Sequence, residues 1–259
     1  MAVNSPDRRA AACLLAPLVP VILAAASLLL PGCKTYVGTT AASFLGHVRN
    51  NPDPNARYLA YSKLGSPEAY DSDGQKSEAV QTLIDKFEKG REPVATRAVI
   101  CRSLGELHDP RAHDTLVKAV SSPDAVIRVE ACRALGKVGQ SADATILAQV
   151  MATDNLEDAR IAAIEGIAEL KTSDPRIFKL LVDNMEHDDP AIRLAALNAL
   201  RALTRKDLGT DAAEWRKGLK SQIEAAAAPD AGASAGSPGA AASTASTGGG
   251  PAAAPSRPR

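Results

Sequence analysis

Few residues of this chain have the types and spacing that chemistry requires. The 259-residue sequence contains four histidines, of which His108 and His113 lie closest together. Their offset of five residues, across an Asp-Pro turn, does not place two metal ligands on one face of a helix. His187 stands beside Asp188 and Asp189 in a predicted turn, where carboxylates usually cap helices. The sequence also lacks a glycine-rich phosphate loop, a nucleophile elbow and zinc-ligand spacing. We therefore predict no catalytic residue, no metal site and no cofactor.

A repeated element runs through the middle of the sequence. Five arginines each precede a leucine or isoleucine by seven residues, and successive arginines are 40, 31, 32 and 33 residues apart. The pairs are Arg57 with Leu64, Arg97 with Leu104, Arg128 with Leu135, Arg160 with Ile167, and Arg193 with Leu200. Self-similarity at this period is typical of a solenoid, in which each unit buries its apolar face against its neighbours.

Each unit carries the signals of two helices. First helices are predicted to start at Asp53-Pro54, Glu92-Pro93, Ser122-Pro123-Asp124, Asp154 to Asp158 and Asp189-Pro190, where a side-chain oxygen can cap the first amides. Apolar residues recur one, four, seven and often ten positions after the arginine, which predicts one buried stripe. A polar turn and a second apolar segment complete an αα-hairpin. We therefore predict an all-α fold.

The segment from Val126 to Gly139 resembles the first helix of short HEAT repeats, the form named for its occurrence in phycobilisome lyases. The resemblance recurs in register over about Asp53 to Leu203. It implies a right-handed α-solenoid of about five helical hairpins that binds a protein partner and no small-molecule substrate.

The alternative is an enzyme or an enzyme accessory protein on a HEAT scaffold, either a metal-dependent hydroxylase or a lyase-like protein. Deoxyhypusine hydroxylase, a HEAT-repeat enzyme, takes its metal ligands from His-Glu pairs. This chain contains no His-Glu dipeptide. We therefore favour the non-catalytic interpretation.

Polar residues of the second helices, off the apolar stripes, form the predicted protein-binding face. They are Asp114, Lys118, Gln149, Lys179 and Asp183. The repeat arginines could line a binding ridge instead. One arginine per unit in one register is, however, a scaffold pattern, so we expect each to pair with an acidic residue in a neighbouring turn.

Two cysteines share a position in the repeat. Cys101 and Cys132 each lie four residues after a repeat arginine, where the other units carry Tyr61, Ile164 and Leu197. We predict buried free thiols, which pack as small apolar groups. Equivalent positions on stacked helices are about 8–10 Å apart, whereas a disulfide needs Cα atoms within about 7 Å.

Residues 1–32 have the composition of a signal peptide. Arg8 and Arg9 precede an apolar run that ends in Leu30-Pro31-Gly32-Cys33. Apart from Pro31, this ending resembles a bacterial lipobox, which implies that Cys33 is lipidated and becomes the new amino terminus. An uncleaved transmembrane helix and a plain secretory signal are the alternatives. The lipoprotein interpretation predicts anchoring in the bacterial cell envelope, facing the periplasm, and Lys34 favours the outer membrane.

The rest of the chain divides into three parts. Residues 33–50 form an anchor and a capping half-unit, residues 51–224 the solenoid, and residues 225–259 a disordered tail rich in Ala, Gly, Ser and Pro. An insertion in the first unit is predicted as a solvated loop near Ser66 to Gln75. The last helix is predicted over Ala212 to Ile223, with Trp215 covering the core. Thirty basic and thirty acidic residues balance, so the charge does not indicate a nucleic-acid partner.

Overall fold

A computed structural model describes residues 38–227 of the chain. The predicted signal peptide, Cys33 and residues 228–259 lie outside these residues. Twelve α-helices and no strand occur in the described part. They are α1 Ala41–Asn50, α2 Pro54–Leu64, α3 Asp73–Lys89, α4 Val94–Leu107, α5 His113–Val120, α6 Ala125–Val138, α7 Ala144–Thr153, α8 Glu157–Glu169, α9 Pro175–Asn184, α10 Pro190–Thr204, α11 Ala212–Gly218 and α12 Lys220–Ala227. Helix α12 thus includes the first three residues of the segment 225–259 that is predicted to be a disordered tail.

The helices form two layers, as the repeat predicts. The first helices of the five units (α2, α4, α6, α8 and α10) stack side by side. The second helices α3, α5, α7 and α9 each pack against the first helix of the following unit. A single apolar core runs between the layers from Phe44 to Leu219. The all-α solenoid of about five hairpins is therefore confirmed.

Small residues allow the first helices to approach one another closely. A Cβ added to Gly136 would lie 2.5 Å from the Cα of Gly166 on the next first helix. A Cβ on Gly105 would lie 2.8 Å from the Cα of Ala134. Real Cβ atoms do not come this near to backbone, so only glycine fits at these crossings.

The core face of the first helices differs from the predicted stripe. Positions four and seven after each arginine are buried in all five units, as expected. The position one after the arginine is buried in the second unit only, at Ala98, whereas Tyr58 is 38% and Leu194 is 57% exposed. Two other positions are buried in every unit, one before and three after the arginine: Ala56, Thr96, Ile127, Ala159 and Ile192, and Ala60, Ile100, Ala131, Ala163 and Ala196. Each first helix packs against its neighbouring first helices as well as a second helix, so its buried face is wider than one stripe.

A largely exposed loop with one short 3-10 helix, Pro67–Ala69, precedes α3, as predicted near Ser66 to Gln75, but the extra residues of the first unit lie in α3 itself. Helix α3 starts 16 residues after Arg57, the same offset that separates Arg97 from His113 and Arg128 from Ala144. Helix α3 has 17 residues, whereas α5 has 8 and α7 has 10. The insertion therefore adds about two turns to the second helix. Ser72 caps the start of α3 by accepting from the Gln75 amide.

Both ends of the stack are covered by additional helices. At the amino-terminal end α1 packs against α2 and α3 and buries Phe44, Leu45 and Val48. At the other end α11 and α12 pack against α9. Trp215 is fully buried there and donates its indole N–H to the Gly209 carbonyl at 2.9 Å. The predicted single last helix is broken at Leu219, which is buried between α11 and α12.

Candidate functional site

All five residues of the predicted binding face are exposed on consecutive second helices. Asp114 and Lys118 lie one turn apart on α5, Gln149 lies on α7, and Lys179 and Asp183 lie on α9. Lys179 and Asp183 form an ion pair at 2.8 Å. This ion pair is solvated and contributes little to folding stability, so the charges of this face are available to a partner.

Half-buried apolar side chains lie among these polar residues. Val117, Ile146, Val150 and Leu180 occupy the same three helices and pack against the edge of the core. We call this surface of α5, α7 and α9, polar and apolar residues together, the second-helix face. A mixture of apolar and charged groups on a rigid support is the usual composition of a protein-binding surface.

A groove continues this face toward the carboxyl end. It has a volume of about 210 Å³ and lies between α9 on one side and α11 and α12 on the other. Lys179, Val182 and Asp183 line one side, and Arg216, Lys220 and Ile223 line the other. The sequence predicts a last helix in this region but does not indicate that it packs on α9. The groove was therefore not predictable from the pattern.

Three of the five repeat arginines bridge consecutive units. Arg57 forms a pair with Glu92 at 3.0 Å, and Arg128 with Asp154 at 2.6 Å. Arg97 lies 3.8 Å from Asp124. Its guanidinium also lies over the Phe87 ring, 4.7 Å from the centroid, and its Nε is buried without a hydrogen-bond partner. The acidic residues are the ones predicted as helix caps, and each receives the arginine of the preceding unit instead.

The other two arginines have no carboxylate partner among residues 38–227, so the prediction that every arginine forms a pair is wrong. Arg160 donates to the Met151 carbonyl at 3.0 Å. Arg193 donates to the carbonyls of His187 and Asp188, both at 2.8 Å. All five arginines therefore contact backbone or side-chain groups of adjacent turns, and these contacts stabilise the fold.

The histidines occupy separate places. His113 lies between Asp114 and Asp143, at 3.0 Å from each. Its hydrogen bonds to Asp114 and Asp143 raise the pKa of the imidazole, against a smaller opposing effect of burial. His47 contacts Asn51 on α1, while the Nδ1 of His187 accepts from the Asp189 amide. Within the described residues, no group of three or more His, Cys, Asp or Glu could hold a metal ion.

The two core cysteines are free and fully buried, as predicted. Burial in apolar surroundings raises the pKa of both the Cys101 and the Cys132 thiol to about 12. Thiols with such pKa values are protonated at neutral pH and therefore do not act as nucleophiles.

Cys33, the predicted lipidation site, lies outside the described residues. The described helices include none whose length and apolar character would allow it to cross a bilayer.

Comparison with known proteins agrees with this architecture. The family described as HEAT repeats matches residues 80–168. Among solved structures, the complex of CpcE and CpcF of phycocyanin lyase from Nostoc sp. PCC7120 is similar, with a TM-score of 0.55 and 20% sequence identity. The similarity covers 67% of this chain and 68% of that chain. No curated protein matches the chain in sequence. Together with the stacked hairpins, these findings show that residues 80–168 are HEAT repeats and that the described fold is similar to a HEAT-like α-solenoid.

Proposed function

We propose that this chain is a non-catalytic scaffold that binds another protein through its second-helix face. The observation that carries the proposal is the row of exposed polar and half-buried apolar residues on three consecutive second helices. Those helices are held rigidly, because each packs against the next first helix. A preformed surface of this kind loses little conformational entropy on binding.

The similar solved structure supports partner binding. That structure is a complex of CpcE and CpcF, so a protein of similar fold assembles with another protein there. Because that complex belongs to phycocyanin lyase, an enzyme accessory role is the second candidate function. Both candidates require a protein partner, and they differ in whether that partner is an enzyme.

We further propose that Cys33 is lipidated and anchors the scaffold in the bacterial cell envelope, facing the periplasm and in the outer membrane. Support comes from the signal-peptide composition and from the Leu30-Pro31-Gly32-Cys33 ending. Several acyl chains at one cysteine would give stable anchoring, where a single chain is marginal. Palmitate labelling of intact cells tests this directly. Label that persists after Cys33→Ser would contradict the anchor.

Photo-crosslinking on intact envelopes tests the binding face. A photoreactive residue is placed at Lys118, at Gln149 or, as a control, at Glu169, which is exposed on the first helix α8. We expect the first two positions to crosslink to the same protein and Glu169 to give none. Equal yield from all three positions, or crosslinks from Glu169 alone, would refute the second-helix face as the binding site.

The identity of the crosslinked protein separates the two candidates. An enzyme whose turnover rises severalfold when this chain is added would support the accessory role. A partner without catalytic activity would support the scaffold.

A further inference from the structure

A cationic cavity lies at the amino-terminal end of the solenoid, away from the second-helix face. It has a volume of about 450 Å³ and lies between the carboxyl ends of α1 and α3 and the start of α2. Six charged residues line it: Arg49, Arg57, Lys86, Lys89, Arg91 and Glu92. Five of the six are cations. Because the whole chain carries no net charge, this concentration is local.

Both carboxylate oxygens of Glu92 accept hydrogen bonds from neighbouring side chains. Its Oε1 accepts from the Nε of Arg57 and from the hydroxyl of Tyr61, both at 3.0 Å. Its Oε2 accepts from the Nη2 of Arg57 at 3.0 Å. The Arg57–Glu92 pair is therefore internally neutral and cannot compensate the other cations.

Two more cations have structural partners. Arg49 pairs with Glu78 at 2.6 Å. Lys86 donates from Nζ to the Val48 carbonyl at 2.8 Å, near the carboxyl end of α1. The carboxyl end of a helix attracts cations with about half a negative charge. The carboxyl ends of α1 and α3 together therefore balance about one positive charge, which Lys86 supplies.

Lys89 and Arg91 remain uncompensated. Both are exposed, and neither has a hydrogen-bond or ion-pair partner within residues 38–227. They lie on either side of Gly90, whose left-handed conformation (φ 63°) ends α3 and turns the chain at the cavity. Two free cations beside a concave space of this size have the composition of a site for a doubly or singly charged anion.

The position of the cavity favours one source of that anion. Ala41, the first residue of α1, is eight residues after Cys33, and eight residues can span at most about 28 Å. Helix α1 has 10 residues and is about 15 Å long. A lipid anchor at Cys33 would therefore allow the carboxyl end of α1 to reach the membrane surface.

We propose that this cavity binds the phosphate group of an anionic phospholipid through Lys89 and Arg91. Its placement at the membrane rests on the proposed lipidation of Cys33, whereas binding itself does not require the anchor. Basic residues near an anionic bilayer each contribute about 1 kcal/mol. Loss of both should thus weaken binding roughly 30-fold at low ionic strength.

Native mass spectrometry of the full chain in a maltoside detergent tests the site. Phosphatidylglycerol and phosphatidylcholine with identical acyl chains are added in equal amounts. Since the two lipids differ in head group only, nonspecific contacts of their identical acyl chains add equally to both. We expect adducts of phosphatidylglycerol to dominate, and 0.5 M salt to abolish the preference because it screens exposed charges.

Matched variants locate the binding. Lys89→Gln with Arg91→Gln should remove the head-group preference. Lys206→Gln with Lys217→Gln removes the same charge from exposed sites at the other end of the solenoid and should preserve it. Unchanged melting temperatures show that both double variants fold.

Three results would overturn the proposal. The first is an equal count of the two lipids on the unaltered chain, and the second is a preference that survives Lys89→Gln with Arg91→Gln. The third is titration calorimetry in which inorganic phosphate binds as tightly as the lipid, which would assign the cavity to a free anion. Repeating the lipid measurement on Cys33→Ser separates this site from the anchor, since the cavity keeps its preference even if palmitate labelling fails.

Discussion

Arg128 and Asp154 form a bidentate pair that joins the third unit to the fourth. The Nε of Arg128 lies 2.6 Å from Oδ2 of Asp154, and Nη2 lies 2.9 Å from Oδ1. The remaining nitrogen, Nη1, donates to the carbonyls of Ser122 and Pro123 in the turn before α6. One side chain thus fixes its own turn and the start of the next unit.

Arg128→Ala should destabilise the fold strongly. The substitution leaves the Asp154 carboxylate, which is only 6% exposed, without its counter-charge, at a cost of about 3 kcal/mol. For a domain of this size we expect a melting temperature lower by about 6–12 °C, measured by circular dichroism. Crosslinking from the second-helix face should persist at temperatures below the melt.

Arg193→Ala is the matched control, because Arg193 occupies the same register but contacts only two carbonyls. It should lower the melting temperature by less than half as much. An unchanged melt for Arg128→Ala, combined with loss of partner binding, would instead assign the arginines to the binding site.

Gly136→Ala should also destabilise the protein, because the new methyl group would meet the backbone of Gly166 at 2.5 Å. Forcing two first helices apart costs about 1–3 kcal/mol. Gly46→Ala on α1 provides the opposite control, since a Cβ there meets nothing within 4 Å. That substitution should stabilise by about 0.5–1 kcal/mol through helix propensity. Chemical denaturation measures the free energy of unfolding of both variants. A change of the same sign in the two variants would contradict the close packing at Gly136.

The stability of the second and third units should depend on pH through His113. Hydrogen bonds to Asp114 and Asp143 raise the pKa of His113 in the folded protein above its ordinary value near 6.5. A pKa that is higher in the folded than in the unfolded state contributes to folding stability. This contribution is fully present below about pH 6.5 and disappears as the pH rises through the folded-state pKa.

His113→Gln should therefore destabilise the protein by about 1–2 kcal/mol at pH 6 and by much less at pH 8.5. Thermal melts at both pH values give the comparison. His108→Asn tests specificity, because His108 is exposed and contacts only the Glu106 carbonyl. An equal effect of His113→Gln at the two pH values would show that the imidazole contributes by packing alone.

Cys101 and Cys132 should resist alkylation in the folded protein. Both are fully buried and have thiol pKa values near 12. Iodoacetamide at pH 8 should label neither within the time that fully labels them in guanidinium, as read by mass spectrometry of their peptides. Rapid labelling of Cys132 alone would indicate that the fold opens locally between the third and fourth units.

The repeat register predicted the interior better than the surface. Because successive units place equivalent residues in equivalent surroundings, Tyr61, Ile164 and Leu197 were enough to assign Cys101 and Cys132 to the core. The same periodicity does not indicate how many neighbours cover a helix. Leu194 therefore counted as core although it is largely exposed.

The extra residues of the first unit show a second limit. A spacing of 40 in place of 31 to 33 reports how many residues are added but not where they fold. The signal that would have located them is the cap at Ser72 followed by the apolar series Ala79, Val80, Leu83 and Phe87. The cationic cavity was beyond prediction, because its residues come from three helices that only the packing brings together.

The two added turns of α3 also affect how the stack can open. In a linear array, disorder usually starts at an end, where a unit has one neighbour instead of two. Here α1 lies across both helices of the first unit, and Arg49 and Lys86 link α1 to α3. Fraying at this end must therefore release α2 and α3 together. We expect the amino-terminal end to open less readily than the carboxyl-terminal end, so that amide exchange begins at the carboxyl-terminal end.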